Sequence, residues 1–156
     1  LLDLTPLDPQ KRGYAFEQFL QELFDAFRLN PRTPFKLVGE QIDGSLELDK
    51  EIYLIEAKWQ NAPVGQKELF AFAGKISGKA TWSRGIFISY SGFTPDSITA
   101  YSKGRPANFI TMDGLDLSLI LAGDSGHFLD FDVCLRKKVR YAAETGNIIL
   151  PVSDIL

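Results

Sequence analysis

Residues Ile52 to Trp59, IYLIEAKW, constrain this chain more than any other stretch. Strand side chains alternate, so Ile52, Leu54, Glu56 and Lys58 share one face while Tyr53, Ile55, Ala57 and Trp59 share the other. A strand apolar on both sides belongs in the middle of a sheet covered on both faces. Glu56 and Lys58 break the apolar run. An unpaired charge buried at such a place costs several kcal/mol, so both side chains need partners or a polar cavity.

The flanking sequence supplies the rest of the layers. Residues 14–28, YAFEQFLQELFDAFR, space Phe16, Phe19, Leu20, Leu23, Phe24 and Phe27 at helical steps and predict an amphipathic helix that NPRTP ends. Residues 35–48 read as one extended strand, with Ile42, Leu46 and Leu48 on one parity, followed by a turn at Asp49-Lys50. After the Ile52–Trp59 strand, a helix is expected over about 66–79. GIFISY (85–90) has the short continuous apolar run of a covered strand. Thr94 and Pro95 read as N-cap and N1 of a helix over about 95–103. NFITM (108–112) is a further strand, DGLDLSLILAG a short helix, and about 128–144 a longer helix ending at Gly146. NIILPV reads as a last edge strand terminated by Pro151. A helix, a hairpin and then alternating helices and strands predict an α/β fold, a three-layer sandwich with a central mixed sheet flanked by helices.

The hairpin decides what Glu56 and Lys58 face. If Asp49-Lys50 is a two-residue loop, Leu48 pairs with Glu51 and Asp43 falls opposite Glu56, with Cβ atoms about 4.5–5.5 Å apart. A four-residue loop sets Asp43 against Lys58 instead, and a three-residue loop puts Asp43 on the other face. In the first register two carboxylates repel unless a cation lies between them. Mg²⁺ is the natural candidate, because it takes one or two carboxylates and completes its octahedron with water and phosphate oxygens. Lys58 is then placed to orient or deprotonate an attacking water, or to hold a phosphate. Gly44 is expected to leave room for a phosphate backbone. The alternative is a buried ion pair that only holds the sheet together.

At 156 residues, 45% of them hydrophobic and 24% charged, the chain suits one globular unit, residues 1–156. No apolar run reaches the roughly 18 residues of a membrane span. The lone cysteine, Cys134, reads as a core thiol, excludes a cysteine-based zinc site and fits a reducing, cytoplasmic setting. With one histidine, His127, no Ser-His-Asp or multi-histidine site can be built. GKISGKAT (74–81) has the wrong spacing and the wrong flanks for a phosphate-binding loop. A net charge of −3 gives no global attraction to nucleic acid. The chain opens on Leu rather than Met, so a domain cut from a longer protein is expected.

Three stretches resemble the PD-(D/E)xK nuclease superfamily, and within it the Mrr-like type IV restriction endonuclease domains. GYAFEQFLQELF (13–24) looks like the opening helix with its glutamate, here Glu17. EQIDGSLEL followed by IYLIEAKW looks like the hairpin carrying the catalytic Asp and the E-x-K strand. RGIFISYSGFTPDSITAY (84–101) is similar to the strand and helix that follow. The likeness spans about 13–122 and leaves 123–156 as a helical extension. The residue before Asp43 is Ile42 rather than Pro, and Glu56 stands where many Mrr-like domains carry Gln.

The resemblance implies a restriction-endonuclease-like fold and a Mg²⁺-dependent endonuclease, with Mn²⁺ as substitute, acting on DNA as a restriction or defence effector. Asp43, Glu56 and the carbonyl of Ala57 would be metal ligands and Lys58 the catalytic lysine. Glu17 lies about 20° from Phe24 around its helix, at the edge of the apolar stripe, and would reach the metal through water. Glu40 is a weaker candidate. Lys75, Lys79 and Arg84, and Arg136, Lys137 and Arg140 on the RKKVR helix, are candidate phosphate contacts. Expected partners are DNA, a second copy for double-strand cutting, and a fused or separate target-recognition domain. The alternative is a catalytically inactive nuclease-fold module for nucleic-acid binding or protein assembly.

Overall fold

The computed structural model describes residues 1–33, 35–37, 40–79, 84–103, 106–123 and 130–155. Helix α1 (Pro9–Ala26) starts five residues earlier than its apolar periodicity announces. Asp8 caps it, accepting the Lys11 N–H at 3.1 Å, and Pro9 takes the first turn, where its missing N–H costs nothing. Arg28 and Asn30 take positive φ and end the helical run.

The expected single strand over 35–48 is broken into three. Strands β1 (Phe35–Leu37) and β2 (Glu40–Ile42) form their own antiparallel pair, and β3 (Gly44–Leu48) joins the main sheet. Strand β4 (Glu51–Lys58) pairs antiparallel with β3 through a two-residue loop. Helix α2 (Gln66–Ser77), strand β5 (Arg84–Ser89), helix α3 (Pro95–Ser102), strand β6 (Phe109–Asp113), helix α4 (Gly114–Ala122) and helix α5 (Phe131–Thr145) follow. The main sheet runs β3-β4-β5-β6, with β4, β5 and β6 parallel to one another.

Alternation sorts the central strand as its sequence requires. Tyr53 and Ile55 join a core with α1, α4 and α5, whereas Leu54 joins a second core with α2 and α3. The sheet therefore lies between two helical layers.

Ile42 does not share a face with Leu46 and Leu48. It packs on the α2 side and they pack on the α1 side. The parity switches at Asp43-Gly44. The Asp43 N–H donates to Ile55 O at 3.2 Å, although Gly44 is the ladder partner of Ile55, so two residues face one in the manner of a β-bulge. Gly44 sits at φ 150°, and a Cβ there would stand 2.5 Å from Gln21 Nε2 and 2.8 Å from Arg32 O. The space at Gly44 is taken by this chain's own Arg32 segment, not left for a phosphate backbone.

The predicted final edge strand is also replaced. Residues 147–150 form no strand; Ile148 O accepts from the Thr111 N–H and hydroxyl of β6, both at 3.0 Å, and the Ile148 side chain packs in the cluster that holds Phe109. Asn147 Oδ1 caps the Ile149 N–H instead, turning the segment aside before Pro151. Cys134 is buried in the core, as expected. His127 and the side chain of Glu40 lie outside the described residues. Among the described residues no helix is long and apolar enough to cross a membrane.

Candidate active site

The hairpin turn sets the geometry. Asp49 (φ 52°) and Lys50 (φ 66°) both occupy the left-handed region, the signature of a type I′ turn, which matches the twist of the strands it joins. Leu48 pairs with Glu51 and Gly44 with Ile55, the register that carries Asp43 to the level of Glu56. β3 begins at Gly44, and among the described residues no strand is paired with Glu56, Ala57 and Lys58 on that side of β4. The Asp43 carboxylate takes over the vacant ladder position, its Oδ2 accepting the Ala57 N–H at 3.0 Å. On the other side β4 remains paired with β5, Glu56 beside Phe87 and Lys58 beside Ser89.

This exposed end of β4 opens into a cleft of about 400 Å³ lined by Glu17, Asp43, Glu56, Ala57, Lys58 and Lys75, among others. α1 supplies Glu17 from the edge of its buried stripe. α2 supplies Lys75, whose Nζ lies 3.0 Å from Glu56 Oε2 and 3.2 Å from Gln41 O. Lys58 looks elsewhere: its Nζ is 4.0 Å from Glu68 Oε1, a loose and half-exposed contact.

The acids feel one another. Burial pushes the Glu56 carboxyl above its ordinary range and the charge of Asp43 adds to that, while Lys75 and Lys58 oppose it. Asp43 is also raised by burial, against the Ala57 N–H and both lysines. Glu17 is pushed up to about 7, by burial first and then by Asp43 and Glu56. Among the described residues no three His, Cys, Asp or Glu side chains cluster as a ready-made metal cage. The donor set is one acidic pair with hard backbone oxygens beside it and no histidine or cysteine in the cleft lining, which suits a hard divalent cation and not zinc.

The remaining candidates are spread over the molecule. Lys79 lies past the end of α2 and does not line the cleft. Arg84 pairs with Glu51 at 3.0 Å and lines a separate cavity of about 290 Å³ with Tyr53 and Ala142. Arg136 is held by Asp49 and Asp132, and Arg140 by Glu144 at 2.8 Å. Lys137 shares a shallow surface depression with Arg140.

Sequence reasoning did not find the Glu56–Lys75 pair or the Lys58–Glu68 contact. A signal existed, since Glu68 and Lys75 stand two turns apart on one flank of α2, beside its buried Leu69, Phe72 and Ile76. Trp59 is packed, not poised for a base. It stacks on Tyr90 with centroids 3.7 Å apart, meets the edge of Phe16, and lies under the Arg12 guanidinium at 5.5 Å.

A mixed sheet between helical layers, with an acidic pair and a lysine at the open end of a central strand, defines a restriction-endonuclease-like α/β protein. A scan against protein-family models matches residues 10–120 to the restriction endonuclease family Mrr_cat, and the chain belongs to that family. No curated protein and no solved structure matches it.

Proposed function

We propose that this chain is a divalent-metal-dependent endonuclease that hydrolyses DNA phosphodiester bonds, the effector of a restriction or defence system. The reading is carried by the convergence of Asp43 and Glu56 with Lys58 at the end of β4; burial raises both carboxyls, and the charge of Asp43 raises Glu56 further. Mg²⁺, with Mn²⁺ as substitute, would be held by Asp43 and Glu56. The carbonyl of Ala57 is a third donor, since a strand residue directs its N–H and C=O to the same side and the N–H already meets Asp43. When bound, such an ion polarises a phosphoryl oxygen and lowers the pKa of its water.

The protein's own groups do the remaining work. Lys58, held only loosely by Glu68, is free to swing to the scissile phosphate and to hold or take the proton of an attacking water. Glu17, its carboxyl pushed up to about 7, exchanges a proton near physiological pH and can hold a water against the acidic pair. The net charge of −3 makes the isolated chain a weak DNA binder. Target selection then falls to a further domain or partner, and cutting both strands to a second copy.

The test is nicking of supercoiled plasmid with Mg²⁺ or Mn²⁺. Asp43→Ala and Lys58→Ala should each lower the rate by about a hundredfold or more, with cooperative melting retained. A wild-type protein that binds neither metal nor nicks overturns the proposal. It would leave the fold as a nucleic-acid-binding or assembly module.

A further inference from the structure

Four charged side chains meet at the acidic pair. Asp43 and Glu56 bring two negative charges, Lys58 and Lys75 two positive ones, so these four sum to zero. The lysine of the E-x-K strand is not the one that neutralises Glu56. That contact belongs to Lys75 of α2, which reaches Glu56 Oε2 at 3.0 Å. The side chains involved are 12% exposed for Glu56 and 24% for Lys75, so the pair is well shielded from solvent. The second bond of Lys75, to Gln41 O at 3.2 Å, uses another of the three ammonium donors and leaves the third. The helix behind it is fixed, because Leu69, Phe72 and Ile76 are buried against the sheet. Only the flexible four-carbon stem of Lys75 has to move for Glu56 to be released.

We propose that Lys75 is the resident counter-ion of this site: it holds Glu56 while no divalent ion is present, gives Glu56 up on metal loading, and then contacts the DNA backbone. The inference rests on the proposed metal-dependent reading and adds a role outside the E-x-K strand. An ammonium 3.0 Å from a ligand oxygen occupies space that a divalent ion needs, and repels that ion. Adding the ion, with Lys75 still on the wall, makes positive a cleft in which Asp43 and Glu56 balance the two lysines and Glu17 adds at most one more negative charge. DNA affinity thus becomes conditional on the metal, which suits a chain that is acidic as a whole. Once detached, Lys75 lies on the cleft wall with its donors free for phosphate oxygens.

The alternative is that Lys75 merely orients Glu56 for the metal, and the two roles predict opposite signs. Mn²⁺ titration calorimetry on the whole chain separates them without any need for turnover. Lys75→Met and Lys75→Gln should each bind Mn²⁺ about fivefold or more tightly than wild type. Unchanged or weaker Mn²⁺ binding overturns the inference. In Ca²⁺, duplex DNA should bind each variant several-fold more weakly, with a salt dependence shallower by about one ion. Unchanged DNA affinity also overturns it.

Melting in EDTA checks that the variants fold, and Lys75→Gln keeps a donor for Gln41 O if Lys75→Met proves unstable. A wild-type protein that binds Mn²⁺ and nicks plasmid, alongside variants that bind Mn²⁺ no better, sinks only this inference. A wild type that does neither sinks the functional reading together with it.

Discussion

Glu17 is where a single carboxyl couples the cleft to stability. Its pKa in the folded protein is about 7, against an ordinary 4.5, because burial and the charges of Asp43 and Glu56 disfavour ionisation. The folded state therefore holds a proton that the unfolded state releases. The resulting stability is fully present below about pH 4.5 and is lost as pH rises through about 7. Asp43 and Glu56 are also raised, so they act in the same direction. Glu17 is partly exposed, and screening reduces its share to about 1 kcal/mol. In EDTA at pH 8, Glu17→Gln should melt about 2–4 °C above wild type. The difference should disappear near pH 4.5, and a constant offset across that range would contradict the assignment.

At the scale of elements, the hairpin carries the site. The sequence predicts β4 well because its own side chains demand a two-faced burial, and Leu54 and Ile55 do pack on opposite layers. The register followed from taking Asp49-Lys50 as the shortest loop, a choice the two positive φ values explain. What residues 35–48 hid was the bulge. Every residue there is compatible with extended backbone, and only the packing of Arg32 against Ser45 and Gly44 shows why the strand must break. The Glu56–Lys75 contact was hidden for a related reason, since periodicity places Lys75 on a flank of α2 without saying which strand that flank overlies.

Inserting one glycine between Asp49 and Lys50 makes a three-residue loop and should turn Asp43 away from Glu56. Nicking should fall by about a hundredfold or more while far-UV circular dichroism stays near that of wild type. Lys50→Gly keeps the register and the Asp49–Arg136 contact. It should raise stability in urea melts by up to about 1 kcal/mol by relieving a positive φ.

Across the whole molecule, the segment beyond the family match is built into the interior. Phe131, Cys134 and Leu135 of α5 complete the core beneath β5 and β6. A buried ion pair ties this layer down. Lys138, 2% exposed, donates to Asp116 Oδ2 at 2.8 Å, to Thr111 O at 3.2 Å and to Leu150 O. Asp116 Oδ1 in turn accepts the Val152 N–H at 2.7 Å. Removing Asp116 strands the lysine charge, so Asp116→Ala should cost about 3–5 kcal/mol in urea unfolding. Joint replacement by apolar residues of similar volume should cost far less. A small loss for the single variant would show that the backbone carbonyls suffice for Lys138.

The rims of the sheet carry a last consequence. Along β3, Ser45 exchanges both backbone bonds with Arg32, and the Glu47 N–H is taken by Leu29 O. Along β6, Thr111 is occupied by Ile148 and Lys138. At these positions the chain's own loops and side chains occupy edges through which β-proteins most readily zip together. A second copy that paired through Ser45, Glu47 or Thr111 would have to displace these bonds, and strand-mimicking peptides will find no seam to enter at these positions.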